Sequence, residues 1–185
     1  MNEPLGKWTK ITLAVFLCVV ALVLLGNQDR MHIYSTYFRE TSPQVQMRLG
    51  ELSGDMDEAA IRKHFDGVPF KCHNEPLATT GLGDRLCYTN IDKADGLPAF
   101  TLVIFFKKGH LSHAVVQVPW WVHGSWRDQL GAQYGKANRA GVVSRLGGPV
   151  LRWPMPNGHL EYNRERSLNP LEWSAVFWTA GAGKS

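Results

Sequence analysis

The sequence predicts an α+β fold, an antiparallel sheet with two helices packed on one face, preceded by one N-terminal transmembrane helix. Three observations lead there. Ile11 to Leu25 is an apolar run interrupted only by Thr12. Two later stretches, Met56 to Phe65 and Val122 to Tyr134, repeat apolar residues at helical spacing, and most of the remainder falls into short strand-like runs bounded by Gly, Pro and Asn. Runs of strands with helices inserted, rather than strict strand-helix alternation, favour antiparallel pairing.

The first run sets the compartment. Its fifteen residues plus Gly26 would span roughly 24 Å as a helix, somewhat short of a hydrocarbon core of about 30 Å. Lys7, Trp8 and Lys10 extend the usable span, because an indole sits at headgroup level and a lysine stem reaches back to the interface. A cleaved secretory leader would place small residues before the cut, yet a cut after Gly26 puts Leu24 at the third position. The expectation is therefore an uncleaved anchor over 1–26, single-pass in the inner membrane, with the C-terminal part in the periplasm or another extracytoplasmic space. Basic residues ahead of the run favour that orientation, while Arg30 and Arg39 beyond it reduce the asymmetry. Cys18, inside the run, reads as a small apolar filler.

The rest divides into a juxtamembrane linker over 27–43, an exported domain over 44–180 and a tail over 181–185. The linker carries Tyr34, Tyr37 and Phe38 and would equally suit a helical continuation of the anchor. Within the domain, Val45, Met47, Leu49 and Leu52 suggest a first strand, and Asp55 is the expected N-cap of a helix from Met56 to Phe65. Val68 to His73 and Arg85 to Ile91 read as short strands joined by a glycine-containing loop. Phe100 to Phe106 and Leu111 to Val118 form the clearest hairpin, turning at Lys107-Lys-Gly-His110. Val122, Trp126, Leu130 and Tyr134 recur every four residues, with Ser125 as expected cap and Gly135 as stop. Lys136 to Gly148 reads as a loop. Val150 to Trp153, Leu160 to Asn163 and Trp173 to Thr179 complete the strands around a turn at Pro154 to Gly158.

Cys72 and Cys87 are the two cysteines outside the run, and an even count in an oxidising compartment predicts a disulfide. Closing a ring of about 16 residues is worth on the order of 3 kcal/mol. A metal site from Cys72, His73, Cys87 and His64 is the rival, but its spacing matches no standard zinc pattern.

Charge excludes some function classes. The net charge of +4 with 19% charged residues does not call for a nucleic-acid partner. It is unevenly spread: 8 basic and 11 acidic residues from Asn27 to Phe106, against 10 basic and 4 acidic from Lys107 onward. Lys136, Arg139, Arg145, Arg152, Arg164 and Arg166 would form a basic rim facing anionic headgroups or an anionic envelope polymer.

Motifs for chemistry are weak. Gly181-Ala-Gly-Lys-Ser185 ends like a phosphate-binding loop but has Trp178 where the first glycine belongs, and Gly81-Leu-Gly83-Asp84 reads as turn chemistry. His123 beside Trp120, Trp121 and Trp126 is the most distinctive cluster. Trp120, Trp121, His123, Arg145 and Arg152 are accordingly the candidate binding residues. No catalytic residue, metal ligand or cofactor is assigned. The competing expectation is an envelope hydrolase or metal-dependent enzyme using His110, His113 or His123.

A helix ending in Phe65-Asp-Gly67 and another ending in Tyr134-Gly135, each followed by strands, suggest two faintly similar halves. In element order and in the Tyr134-Gly135 step the chain resembles the small bacterial envelope modules of the BamE-like and β-lactamase-inhibitor-like group, over about Leu52 to Thr179. That resemblance implies a non-catalytic binding or assembly role, without a defined partner or oligomeric state.

Overall fold

In the computed structural model, which describes residues 6–76, 80–140, 146 and 148–181, the apolar run and its flank form α1 (Lys7–Leu25), none of it buried by the rest of the chain. The helix is long and apolar enough to cross a membrane. Its polar interruption is satisfied internally, because the Thr12 hydroxyl donates to the Trp8 carbonyl at 3.0 Å. A break at Asn27 separates it from α2 (Gln28–Arg39). Residues 27–43 are thus largely helical, and α2 docks on the domain: Tyr34 is buried, and its hydroxyl donates to the Pro170 carbonyl at 3.0 Å.

The expected first strand is corrected. Only β1 (Gln44–Val45) is extended; Arg48 then adopts a left-handed conformation at φ 42° and Leu49–Glu51 form a 3-10 turn. The alternation nevertheless marked the inward residues, since Val45, Met47, Leu49 and Leu52 are all buried. The next helix, α3 (Glu58–His64), is capped by Asp57, whose side chain accepts from the Ala60 amide at 2.8 Å. Asp55, the expected cap, instead accepts from the Ser53 hydroxyl.

The domain is built on an eight-stranded sheet in the order β2-β3-β6-β7-β11-β10-β9-β8, antiparallel throughout. Its strands are β2 (Lys71–Asn74), β3 (Arg85–Asn90), β6 (Thr101–Lys107), β7 (His110–Val118), β8 (Asn138–Ala140), β9 (Val150–Met155), β10 (Gly158–Asn163) and β11 (Ser174–Ala180). A small second sheet joins β1 in parallel to β4 (Lys93–Ala94), which pairs antiparallel with β5 (Leu97–Pro98). Two-residue turns with positive φ at both positions close two of the hairpins, Asp95-Gly96 between β4 and β5 and Lys108-Gly109 between β6 and β7. That geometry matches strand twist, and it favours Gly at the second position.

Residues directly opposite in a ladder project to the same face. One row, Cys72, Cys87, Ile104, Ala114, Trp178, Leu160 and Trp153, therefore crosses from the β2 edge to β9. All but Cys72 are buried. Ile61 and Phe65 at α3, and Trp126 and Leu130 of α4 (His123–Tyr134), join the same core cluster. Before α4, Trp120–Val122 form a 3-10 turn, and no side chain caps the helix, so the expected Ser125 cap is not used.

Three further differences concern the last strands. Asn138–Ala140, expected as loop, pairs with β9. Strand β9 continues through Pro154, where β8 has already ended opposite Arg152, so the missing Pro amide falls where only one neighbour is present. Gly158 opens β10 because a Cβ there would lie 2.1 Å from the Thr179 carbonyl oxygen. Of the expected tail over 181–185, only Gly181 falls within the described residues.

The predicted disulfide is present. Cys72 and Cys87 are joined across β2 and β3, with S–S 2.00 Å and a sequence separation of 15. Beside it the Glu58 carboxylate accepts from Arg85 at 2.7 Å and from Arg62 at 2.8 Å, and these two guanidinium groups hold its pKa below the usual carboxylate value.

Candidate functional site

The candidate residues from the sequence do not converge. Arg145 lies outside the described residues. Arg152 is on β9, where its guanidinium forms an ion pair with the buried Glu161 directly opposite on β10. Trp120 donates its indole N–H to the Ser167 carbonyl at 2.6 Å and carries the Arg166 guanidinium 3.8 Å above its ring. His123 is only 4% exposed. Its ring stacks on Tyr162 with centroids 4.9 Å apart, and its Nδ1 lies 2.7 Å from the hydroxyl of Ser174, itself 5% exposed. A serine beside a histidine has the composition of a nucleophile and base, but a pair closed to solvent cannot be approached by a substrate. It is a core polar link between α4 and β11.

Nor are the three histidines of the hydrolase expectation gathered. His110 starts β7 at the exposed turn. His113 is buried between Phe105 and Phe177 with Nδ1 3.1 Å from the Leu82 carbonyl. His123 belongs to α4 beyond the other end of β7. The close group Glu58, Cys72 and Cys87 has donor atoms within 4.8 Å of one another, yet both sulfurs are tied in the disulfide and are not thiolates.

Burial, and then the charges of Arg127 and Arg166, hold the His123 imidazole below its ordinary value of 6.5, while the Arg164 backbone acts in the opposite sense. His159 is lowered too, by burial and by Arg152 against the pull of Glu161. Unfolding restores ordinary proton affinity, so from about pH 6.5 downward the unfolded chain binds more protons and acidification destabilises the fold. The unfolding free energy is expected to fall between about pH 7.5 and pH 5.5. Chemical denaturation across that range should show a shallower slope in His123→Gln, and an unchanged slope would place the effect elsewhere.

Trp121 leads to a cluster that residues neighbouring in sequence do not form. It packs with Tyr34, Tyr37 and Phe38 of α2 and with Phe100, at centroid separations of 5.6, 6.3, 5.8 and 6.0 Å. Its partner rings lie at positions 34, 37 and 38, one stripe of a helix, and that spacing was the available signal. The two outermost rings, Phe38 and Trp121, stack at 23° while remaining 70% and 43% exposed.

Next to this seam, α2 and the β2–β3–β6 side of the sheet enclose a groove of about 390 Å³. His32, Thr36, Glu40, Lys71, Tyr88 and Asn90 contribute to its walls. The Tyr37 hydroxyl donates to the Asp92 carbonyl at 3.2 Å and fixes one end; burial first, and then Asp92, raise its pKa. Among the described residues, the His32, Glu40 and Lys71 side chains make no hydrogen bond or ion pair, so their polar groups are open to a ligand. A second recess of about 380 Å³ at Glu58, Asn74, Asp84, Arg85, Phe106 and Gly109 differs. There Arg85 bridges Glu58 and Asn74, so its strongest charges already satisfy one another.

No protein-family model, curated protein or solved structure matches this chain.

Proposed function

We propose that the chain is a membrane-anchored bacterial envelope protein that binds or assembles with another envelope component and is not itself catalytic. In this reading α1 is an uncleaved single-pass anchor in the inner membrane, and the domain lies in the periplasm or another extracytoplasmic space. The disulfide supports it, because such bonds persist where thiols are not kept reduced. We also infer that α3 and α4 pack on one face of the sheet. The Arg62 guanidinium reaches the Cys72 sulfur at 3.1 Å, and the Tyr162 hydroxyl and Trp153 indole reach the backbone at either end of α4, all from side chains of that face.

The observation that carries the binding role is the exposed Phe38–Trp121 stack beside a groove with unpaired polar walls. Large aromatic rings at the rim of a concave, partly polar surface supply contact area at low entropic cost and are overrepresented where proteins bind partners. The groove runs beside the β2 edge strand, and Glu40 and Lys71 offer opposite charges on its two sides. An extended segment of an envelope protein suits that shape. A photo-crosslinking residue at Trp121 in the full chain, in intact cells, is expected to give one discrete protein adduct that a Lys71→Glu, Glu40→Lys double variant abolishes. Adducts to lipid alone, or an adduct indifferent to the charge exchange, would overturn the groove as the binding site.

A further inference from the structure

The connection between β10 and β11, residues 164–173, carries an apolar side chain that nothing in the fold accounts for. Leu168 is 99% exposed, more than Trp8 in the anchor at 80%. A leucine held fully in water gives up the transfer free energy that burial returns to every core leucine, so its surroundings matter. They are charged and aromatic: Arg166 lies over the Trp120 ring, whose indole N–H is tied to the Ser167 carbonyl, while Arg164 is paired with Glu165 at 2.8 Å and so leaves Arg166 as the cation next to Leu168.

The same connection is fastened to the end of the anchor. The Asn169 amide donates to the side chain of Asn27, two residues beyond the last residue of α1, at 3.3 Å. Glu172 pairs with Arg30 at 2.9 Å, Arg30 lies 5.7 Å from the centre of the Trp173 ring, and the Tyr34 hydroxyl binds the Pro170 carbonyl. The connection therefore sits at the level where α1 leaves the bilayer. Resting on the reading that α1 spans a membrane, we infer that residues 164–173 are a lipid-docking surface. Leu168 enters the upper acyl region and Arg166 meets lipid phosphate, so the domain is held against the bilayer at a second point. An exposed leucine flanked by arginines and tryptophans, at the exit of a span, has the chemistry of an interfacial anchor. With the connection pressed to the membrane, the opposite end of the strands, at the Lys108-Gly109 turn, points away from it, because β11 begins opposite Val118 at the far end of β7.

The test uses the full chain with its disulfide intact, reconstituted in nanodiscs of phosphatidylethanolamine and phosphatidylglycerol. A nitroxide is attached singly at Cys18 in α1 or, with Cys18→Ser, at Leu168→Cys or Lys108→Cys. Accessibility to oxygen, which concentrates in lipid, is compared with accessibility to a water-soluble nickel chelate. The oxygen-to-nickel ratio at 168 is expected to exceed that at 108 several-fold and to approach the value at Cys18. A ratio at 168 equal to that at 108, with Cys18 still in lipid, would overturn the docking surface and leave the anchor standing. A Cys18 label open to nickel would overturn the anchor, and the docking surface with it.

Discussion

Trp126→Ala is expected to lower the unfolding free energy by about 3–5 kcal/mol, the cost of removing a fully buried tryptophan from a core that relaxes only in part. Trp126 is fully buried where α4 meets the core cluster, and its indole N–H donates to the Pro98 carbonyl of β5 at 3.0 Å. The substitution opens a cavity and leaves that carbonyl without its donor, so the effect belongs at the upper end. It also loosens the small β1–β4–β5 sheet from α4, leaving the Gln129 side chain, which donates to the Asp95 carbonyl, as the remaining hydrogen bond between them among the described residues. For a chain of this size the melting temperature should drop by roughly 6–20 °C. Trp121→Ala is the internal comparison: that ring is 43% exposed and packs against the aromatic seam, so its loss should cost less, about 1–2 kcal/mol. Urea denaturation of the full chain in detergent, followed by tryptophan fluorescence, distinguishes the two. Equal midpoints for the two variants would contradict the assignment of Trp126 to the core.

Removing the disulfide, as Cys72→Ala with Cys87→Ala or by reduction of the parent chain, is expected to cost about 3 kcal/mol, most of it through the greater entropy of an unfolded chain without the closed loop. In the folded chain β2 is the edge strand, with β3 as its one ladder neighbour. The loss should therefore show first as faster amide exchange in Lys71–Asn74, with the β7–β11 centre still protected. Cys87 is buried and its alanine replacement removes a sulfur from the core row, so the double variant should be slightly less stable than the reduced parent. Midpoints that stay within about 0.5 kcal/mol of the oxidised chain would show that the staple constrains nothing.

Much of the fold could be read from residue order. The β6–β7 hairpin was legible because a nearly all-apolar run and an alternating one meet at a Lys-Lys-Gly turn, and the cysteine pair because the N-terminal apolar run and the even count point the same way. Where the reading failed, two local signals competed. Val45 to Leu52 alternates like a strand, but Arg48 takes a left-handed conformation and the side chains reach the core through a turn. Asp55 and Asp57 both precede α3, and sequence alone does not say which carboxylate meets a free amide. The β4–β5 hairpin and β8 are only two and three residues long, too short to show a period.

The candidate site was less legible than the fold. Trp120, Trp121 and His123 are neighbours in sequence, yet the chain turns between them. Trp120 goes to the Ser167 carbonyl, Trp121 to the α2 aromatics and His123 into the core. Tyr34, Tyr37 and Phe38 stand out as aromatic in the sequence, but their partners lie at positions 100 and 121, a pairing that only the docking of α2 creates.

By itself, the sequence determined the apolar helix, the disulfide pair and the alternation that builds an antiparallel sheet, because each is encoded in the polarity or spacing of residues close along the chain. Which aromatic rings meet, which polar groups are left open beside them and where Leu168 lies relative to α1 were decided by tertiary structure. Those depend on contacts between residues more than fifty positions apart, and the free energy that selects them comes from closing the whole core at once.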